Sequence, residues 1–568
     1  MKGRIQTASV VVALAALVAG CGSVNGPRPG PGAGTDTQQV VKPKRVTASI
    51  MGEPVSFINR VNPTQISIPG VSALEQLVNA SLSELNGEGR LQPLLAEAVP
   101  SIESGTWRLL PDGRMETTWR IRPEARWHDG AQMTGEDFVF TAAVDQDREM
   151  PIAPRPSAYG WVERVEAPDP RTVQVTWSRP YIDADAMFSP GFSSPYPRHL
   201  LEETYVNDRA RFLALPYWRQ EFVGTGPFAV REVVAGSSIS LRAFDRYTLG
   251  RAQIDEIEVR FILDLNALMT NIMAGAIELT LGRGFTVDQA VLLRDQWADG
   301  TMHYDLHSWI AIHPQFINPS PGVVGDFQFR RALMHATDRQ QLVDSLQRGL
   351  GGIAHLYLAP SQREYKDVED SAARYAYDPR RANELIQGLG YTRGADGLYR
   401  DPVGEKLTVE LRSNAEKITD NAIIPVADSW KGLGVAAEPV PLAPQRTSDR
   451  EYLATFPAFR MMRQPNQPSD VDRWHSSVTP LPDNRYVGRN YARYVNPELD
   501  VAIDRYLSTI PWADRMQALR GVVRHVSENL SLMGLFYDLG FSFTHHRLLN
   551  IGAEETQVWD VHRWDVKG

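Results

Sequence analysis

The only cysteine of this 568-residue chain is Cys21, and it follows a short apolar segment, Ala8 to Gly20, that comes after basic Lys2 and Arg4. The apolar run is shorter than the roughly 20 residues of a membrane-spanning helix, and its length is typical of the hydrophobic region of a signal peptide. With one cysteine, the chain cannot close an internal disulfide.

The residues before Cys21 are small, Val18-Ala19-Gly20, and they resemble the bacterial lipobox, in which the cysteine thiol takes up diacylglycerol and becomes the mature N-terminus. We therefore predict a lipoprotein signal peptide over residues 1–20 and lipidation at Cys21. An ordinary signal peptide with a chance cysteine is the alternative. A lipid on Cys21 would leave the folded body without a thiol for metal binding or catalysis. This pattern predicts an exported protein, lipid-anchored on the extracytoplasmic face of the cell envelope.

Residues 21–44 are predicted to be a tether. Gly26 to Gly32 alternate glycine and proline with few other residues, and polar residues follow from Thr35 to Gln39. Such a segment cannot bury a core and is typical of a flexible or semi-extended spacer. No later segment has the long uncharged apolar run of a transmembrane helix.

The remaining length, over 500 residues, is too great for one core and indicates two or more lobes. The apolar content of 43% and charged content of 22% are those of a soluble globular protein. The net charge of −9 and the lack of a basic tract argue against a nucleic-acid partner. The 13 tryptophans and 19 tyrosines suit both a core and the walls of a ligand cavity.

Strand and helix patterns alternate along the chain, which predicts a mixed α/β fold. Apolar residues alternate in three segments, as in half-buried strands: Met115–Ile121, Val173–Trp177 and Ile257–Phe261. Three helices are predicted to begin at capping residues: Thr134 with Asp137, Asp378 before Pro379, and Asn496 before Pro497.

Five motifs occur in a fixed order after the tether. They are Trp119–Gly130 with Ala131–Phe140, Gly224–Phe228, Asp255–Ile257 with Met273–Gly275, Arg330–Leu333 with Ala336–Arg339, and Arg489–Tyr491 with Tyr494 and Asn496–Asp500. Together they resemble the extracytoplasmic solute-binding proteins of ABC importers, family 5, which bind dipeptides, oligopeptides or nickel. Most of these residues are expected to be scaffold: Asp129-Gly130 a turn, Gly226 a position without room for a side chain, and Asp338 a helix cap.

The resemblance implies a periplasmic-binding-protein-like fold of type II, with three domains in two lobes, a hinge and a central cleft. The implied domains are domain I (45–88, 217–310 and the C-terminal return 538–568), domain II (89–216) and domain III (311–537). The implied function is to capture a peptide or other small solute in the cleft and deliver it to an ABC permease with its ATPase subunits. The alternative is a sensor or structural lipoprotein of the same fold. No reaction and no cofactor are expected, and we find no nucleophile–base pair for a hydrolase.

The expected ligand anchor is the point where this sequence departs from the family. Peptide-binding relatives usually carry a tryptophan followed three residues later by an aspartate that pairs with the peptide ammonium, whereas the local stretch, Phe459 to Asp472, has no such pair. Arg463 and Asn466 lie nearest to that place, and Asp470 or Asp472 would replace the aspartate if the register is shifted. Otherwise a buried ammonium lacks a counter-charge, which favours a neutral or anionic ligand, or a peptide held through its backbone.

Weaker candidates for ligand binding and for metal binding complete the prediction. Aromatic and amide side chains line ligand cavities, which adds Trp474, His475, Asn490 and Tyr491 to the predicted ligand-binding residues. His303, Asp305 and His307 would share one face of a strand, as a metal site or, as we prefer, a solvated face. The paired residues His545-His546 are expected at the surface. No HExxH helix and no Gly-Lys pair of a phosphate loop occur, and nickel bound through one histidine and a small chelator stays open.

Overall fold

The computed structural model describes residues 42–61, 68–150, 152, 157–552 and 558–567, apart from the side chains of residues 157, 158 and 307. The predicted signal peptide, Cys21 and nearly all of the predicted tether lie outside these residues. From Pro43 onward the chain forms one compact unit. Among the helices of the described residues, none combines the length and the apolar character needed to cross a membrane.

Strands and helices alternate along this unit, as the sequence pattern predicts. The strands are β1 (Arg45–Ile50), β2 (Ser83–Leu85), β3 (Leu91–Pro93), β4 (Trp107–Leu109), β5 (Met115–Arg120), β6 (Val162–Asp169), β7 (Thr172–Trp177), β8 (Phe228–Val234), β9 (Ser238–Ala243), β10 (Glu256–Phe261), β11 (Leu279–Thr280), β12 (Gly300–Pro314), β13 (Thr392–Arg393), β14 (Tyr399–Arg400), β15 (Thr408–Arg412), β16 (Ala436–Val440), β17 (Phe459–Pro465), β18 (Met533–His545), β19 (Leu548–Leu549) and β20 (Asp565–Val566). The helices are α1 (Val71–Val78), α2 (Gly135–Gln146), α3 (Arg198–Asn207), α4 (Arg209–Leu213), α5 (Leu265–Met273), α6 (Val287–Gln296), α7 (Phe327–Ala336), α8 (Arg339–Gln347), α9 (Tyr365–Val368), α10 (Pro379–Gly388), α11 (Lys417–Leu433), α12 (Arg450–Ala454), α13 (Pro497–Ser508) and α14 (Trp512–Asn529).

The main sheet has ten strands in the order β16-β15-β17-β12-β18-β11-β1-β10-β9-β8. Its two longest strands, β12 and β18, are 15 and 13 residues long, lie next to each other in this order and pair antiparallel. β12 pairs on its other side with β17, whereas β18 pairs on its other side with β11. These two long strands therefore join the half of the sheet that contains β15 to β17 to the half that contains β1 and β8 to β11.

A second sheet, of order β4-β5-β7-β6, packs against α2 and carries the first family motif. Met115, Thr117 and Trp119 are buried along β5, and Val173, Val175 and Trp177 are buried along β7, which confirms the predicted alternation. The core of this sheet continues into α13 and α14. Where the two meet, the Ile182 amide donates to the Leu507 carbonyl at 3.0 Å, and Arg179 pairs with Asp504 at 3.0 Å.

The three predicted helix starts are confirmed. Thr134 and Asp137 form a capping box at the start of α2. The carboxylate of Asp378 accepts the Arg381 amide at the start of α10. The side chain of Asn496 accepts two backbone amides at the start of α13. Proline is the first helical residue of both α10 and α13. Each cap satisfies backbone N–H groups that the helix leaves without a partner.

Two family motifs meet at His128, which packs against the glycine turn at residues 224–226. The His128 ring accepts the Gly224 amide at Nδ1 (3.2 Å) and contacts the Gly226 carbonyl through Nε2 (2.9 Å). A Cβ on Gly226 would lie 2.5 Å from the Val78 carbonyl carbon, so the predicted lack of room for a side chain is confirmed. Burial lowers the pKa of His128 to about 4, so its ring is neutral and both nitrogens are used.

A buried ionic network connects α2 to three other segments of the chain; we call it the Asp145 network. The Asp145 carboxylate is fully buried and lies 2.9 Å from Nε of Arg60. It also accepts hydrogen bonds from the hydroxyls of Ser193 (2.6 Å), Tyr196 (3.1 Å) and Tyr159 (3.2 Å). A buried carboxylate needs such partners, because leaving it without them costs several kcal/mol.

The first and last described segments of the chain lie together. Nζ of Lys44, just before β1, pairs with the Asp565 carboxylate at the start of β20 at 2.6 Å. Lys44 also donates its backbone amide to Asp255, just before β10, at 2.7 Å. Both segments therefore belong to the half of the molecule that contains β1 and β10.

Candidate functional site: the ligand cleft

A cleft of about 2480 Å³ lies between segments that are distant in sequence. Its walls come from α1 and the β2–β3 loop, residues 181–192 after β7, residues 360–364, residues 467–473 and 477–491, and the facing parts of α13 and α14. Tyr304 to Leu306, on the long strand β12, also line it. The volume exceeds the roughly 300–1,000 Å³ of common small-molecule pockets.

Three of the predicted ligand-binding residues, Asp470, Asp472 and Tyr491, line this cleft. The Asp470 carboxylate already accepts the Gln467 amide and pairs with Arg473, both at 2.8 Å. The Asp472 carboxylate pairs with Arg489 at 2.8 Å. Each of these two acids therefore has an arginine of the chain as its counter-ion in this structure.

Arg463 and Asn466, the residues nearest to the expected anchor, are engaged with β18 and β12. Nε of Arg463 lies 2.8 Å from the Asp538 carboxylate and 3.7 Å from Glu416. Asn466 is buried and donates from Nδ2 to the Leu306 carbonyl at 2.8 Å. Neither residue belongs to the described lining of the cleft.

Trp474, His475 and Asn490 lie behind the 467–491 wall and support it. Trp474 packs edge-on against Tyr357 with ring centroids 5.0 Å apart. Asn490 is buried and donates from Nδ2 to the backbone carbonyls of Trp474 (3.3 Å) and Tyr494 (2.9 Å). The His475 ring faces two acids of α13, at 3.9 and 3.6 Å. The structure thus places these residues in the packing of the wall.

The cleft also contains charged residues that no sequence motif indicated. Asp183 and Asp185 project from the segment after β7, Glu364 precedes α9, and Arg515 is in the first turn of α14. Burial raises the pKa of the Asp183 and Glu364 carboxyls, and together with the charge of Asp183 it raises the pKa of Asp185 to about 7. The acids and the arginine come from segments more than 140 residues apart, so no local pattern could have joined them.

Trp512, at the start of α14, provides an aromatic surface on the same wall. The guanidinium of Arg363 lies 3.7 Å from its ring centroid, and that of Arg515 lies 4.9 Å away. The indole Nε1 donates to Asp367 at 2.9 Å, which fixes the plane of the ring. Cation–π contacts of this kind hold guanidinium groups in place while their N–H groups stay available.

Of the residues considered for metal binding, Asp305 lines the cleft. His303 and Asp305 are on β12, and Asp305 pairs with Arg283 at 2.8 Å. The side chain of His307 is not among those described. Within the described residues, no group of three or more His, Cys, Asp or Glu side chains is arranged to hold a metal ion. Of the pair near the C-terminus, His546 contacts Thr301 at 3.1 Å on an exposed edge.

Two long strands join the two parts of one sheet, and a wide cleft lies between segments that are distant in sequence. These features define a periplasmic-binding-protein-like fold of type II. Residues 90–482 match the family model of bacterial extracellular solute-binding proteins, family 5 (middle region). The chain belongs to this family of solute-binding proteins.

Named relatives and a solved structure agree with this assignment. The oligopeptide-binding protein AppA of Bacillus subtilis is 24% identical over 466 residues, which cover 79% of this chain and 78% of that protein. Heme-binding protein A of Haemophilus influenzae is 23% identical over 492 residues, covering 82% and 83%. The structure of B. subtilis AppA in complex with a nonapeptide superposes with a TM-score of 0.70 at 20% identity, covering 93% of this chain and 100% of that one.

Proposed function

We propose that this protein is a membrane-anchored receptor that binds a peptide or another small solute in the cleft and delivers it to an ABC permease with its ATPase subunits. The observation that carries the proposal is the cleft of about 2480 Å³ in a chain of family 5. The names of the relatives, oligopeptide-binding and heme-binding, support a large ligand. No chemical reaction forms part of this role.

We propose further that β12 and β18 are the hinge between two lobes. The domain boundaries predicted from the sequence, at residues 310/311 and 537/538, fall within these two strands. Ile310 pairs with Phe536 and Ser308 with Asp538, so the two crossing points lie side by side. The ladder is irregular between Asp305 and Ser308, next to the residues that line the cleft. A pair of strands with such an irregularity can twist and so move two rigid bodies against each other.

Ligand-driven closure tests this role. The protein is purified without denaturation, the bound solute is identified by native mass spectrometry, and small-angle X-ray scattering compares the stripped and reloaded forms. We expect a smaller radius of gyration and a higher Tm on reloading, because a ligand that binds only the folded state stabilises it. An identified ligand that saturates the protein and changes neither quantity would contradict the receptor proposal.

The anchor is proposed at Cys21, which lies outside the described residues. Two acyl chains on one cysteine give stable membrane attachment, whereas one chain gives only marginal binding. In cells, Cys21→Ser should leave the signal segment uncleaved or release the protein from the membrane fraction. Unchanged processing and unchanged membrane retention, measured by fractionation and intact mass, would show that Cys21 is not lipidated.

A further inference from the structure

The long ladder between β12 and β18 is attached to the two halves of the main sheet at opposite ends. At one end, Gly300 to Asp305 pair with residues 540–545 of β18, which also pairs there with β11. At the other end, Ser308 to Pro314 pair with β17. Between these two stretches, Leu306 and His307 on β12 lie opposite Leu539 alone on β18. We call these three residues the bulge.

The bulge is the weakest point of this ladder. An extra residue in one strand interrupts the ladder hydrogen bonds, bends that strand and increases its twist. The second irregularity of the ladder lies between Ile310 and Ala311, but there β12 also pairs with β17 without a shift, through Arg463 and Met462. That position is therefore supported by a third strand, whereas the pairing with β17 begins only after the bulge.

Two ion pairs lie directly on either side of the bulge. Asp305, the residue before it on β12, lies 2.8 Å from Nη2 of Arg283, which follows β11. Asp538, the residue before Leu539 on β18, lies 2.8 Å from Nε of Arg463 on β17. Each aspartate thus connects the long ladder to a different half of the main sheet, Asp305 to the half with β11 and Asp538 to the half with β17.

The surroundings of both ion pairs oppose separation of the charges. The side chains of Asp305 and Arg283 are 15% and 13% exposed, and that of Asp538 is 6% exposed. Separating a largely buried pair leaves a charge without its counter-ion, which is strongly unfavourable. The backbone of Arg283 is also held rigidly, because a Cβ on either neighbouring glycine, Gly282 or Gly284, would collide with residues between β1 and α1.

We propose that these two ion pairs are clamps that confine the movement of the lobes to Leu306, His307 and Leu539. The first clamp, at Asp305, keeps the ladder before the bulge with the half of the sheet that contains β1. The second clamp, at Asp538, keeps the ladder after the bulge with the half that contains β15 to β17. The backbone between the clamps then absorbs the change in φ and ψ, as hinge residues do. The inference rests on the proposed receptor function and locates the point about which its lobes turn.

The bulge is also part of the cleft wall, so the ligand site and the turning point meet. Tyr304 to Leu306 line the cleft. The Leu306 carbonyl accepts a hydrogen bond from Nδ2 of Asn466, just after β17, at 2.8 Å. The Leu306 side chain packs against the core that contains α13 and α14 and against the core that contains α5 and α6. A solute that fills this part of the cleft therefore contacts a residue about which the lobes turn.

Distance measurements between two spin labels test the clamps. Cys21 is the only cysteine, so Cys21→Ser removes the competing thiol. Thr270→Cys on α5 and Arg380→Cys on α10 then place one label at an exposed position of each half. Double electron–electron resonance on the full-length protein stripped of bound solute measures the distribution of distances between the labels.

Loss of either clamp should broaden this distribution. In Arg283→Gln and in Arg463→Gln we expect its width to increase about twofold, because the ladder on one side of the bulge is no longer held and takes part in the bending. Arg283→Lys and Arg463→Lys keep a positive charge and should stay closer to the wild-type width. Arg547→Gln is the matched control: Arg547 pairs with Glu278 at 2.7 Å within one half of the sheet, so the width should not change.

The outcomes separate the clamps from the receptor proposal. If both glutamine variants, folded as judged by their Tm, keep the wild-type width, the inference is wrong. The same holds if Arg547→Gln broadens the distribution as much, since any lost ion pair would then have that effect. If the glutamine variants do not fold, Asp305→Asn and Asp538→Asn, which keep the shape of the acid, are measured in their place with the same expected broadening. The receptor function is tested separately, by closure of the unmutated protein around its co-purified solute.

Discussion

Asp145 and Asp185 are two aspartates that differ in whether the chain itself provides partners for the side-chain carboxylate. Asp145 has an arginine at 2.9 Å and three hydroxyl donors, all from the chain itself. Asp185 lines the cleft and has no side-chain partner among the described residues. A polar group whose partners are all internal serves the scaffold, whereas one with a missing partner is available to a ligand. We therefore expect Asp145 to serve the fold and Asp185 to be accessible to a ligand.

The largest effect that tests this comparison is expected at Asp145. Asp145→Asn leaves Arg60, which is only 11% exposed, without its counter-ion. Breaking a buried pair in this way costs about 3–5 kcal/mol of unfolding free energy. Urea unfolding at pH 7, followed by circular dichroism, measures the loss. A change below about 1 kcal/mol would show that the network is not structural.

The next effect concerns His128, another group whose partners are all internal. Its pKa is lowered to about 4 from an ordinary value of 6.5, so the unfolded chain takes up a proton before the folded protein does as the pH falls. The stability that the neutral ring provides is present above pH 6.5 and is lost as the pH falls towards 4, by about 2–3 kcal/mol in all.

The His128→Gln variant isolates this contribution. It should be less stable than the wild type at pH 7.5, because the turn at Gly224 to Gly226 loses a ring that bonds to both glycines. Between pH 7.5 and pH 4.5 it should lose less stability than the wild type does. If the free energy of unfolding fell equally in both proteins over this pH range, the loss of stability could not be assigned to His128.

The smallest effect, of opposite sign, is expected at Asp185. Its pKa is about 7 in the folded protein and 3.8 ordinarily, so the unfolded chain releases the proton first as the pH rises. The protonated form stabilises the fold below pH 3.8, and this stability is lost as the pH rises through 7. At pH 8, Asp185→Asn should therefore be more stable than the ligand-free wild type, by about 1 kcal/mol at this partly exposed site.

The pH dependence of the same variant provides the control. At pH 5 the gain should be much smaller than at pH 8, since the wild-type carboxyl is then protonated as well. The exposed Asp483→Asn should show no such change between the two pH values. A loss of stability in Asp185→Asn at pH 8 would mean that the carboxylate has an internal role and is not free for a ligand.

Several strands and helix starts could be predicted from the sequence because they depend on local rules, whereas the overall architecture was implied by the resemblance to a family. Thr134, Asp378 and Asn496 cap helices where short-range patterns place them, and the alternation in β5 and β7 shows which faces are buried. Gly226 could be recognised because a close backbone approach requires glycine. Each of these signals lies within a few residues of the structure that it specifies.

The charged part of the cleft could not be predicted in the same way. The sequence points to Arg463 only through its position near the absent tryptophan–aspartate pair, whereas in the structure its partner is Asp538 on β18. Asp185 and Arg515 become neighbours only after the segment behind β7 packs against α13 and α14. Such contacts depend on tertiary packing, and neither residue carries a local signature that distinguishes it from an ordinary surface charge.

Two contacts define the path of the chain. One is the ion pair of Lys44 with Asp565, and the other is the pairing of β12 with β18. The first and last described segments lie side by side, and the chain enters residues 315–532 from one strand and leaves them through its neighbour. That stretch is therefore a large insertion whose two ends are already adjacent, so little loop-closure entropy opposes its folding as a unit. It could be exchanged between homologues as a cassette, altering one wall of the cleft while the half next to the chain ends stays the same.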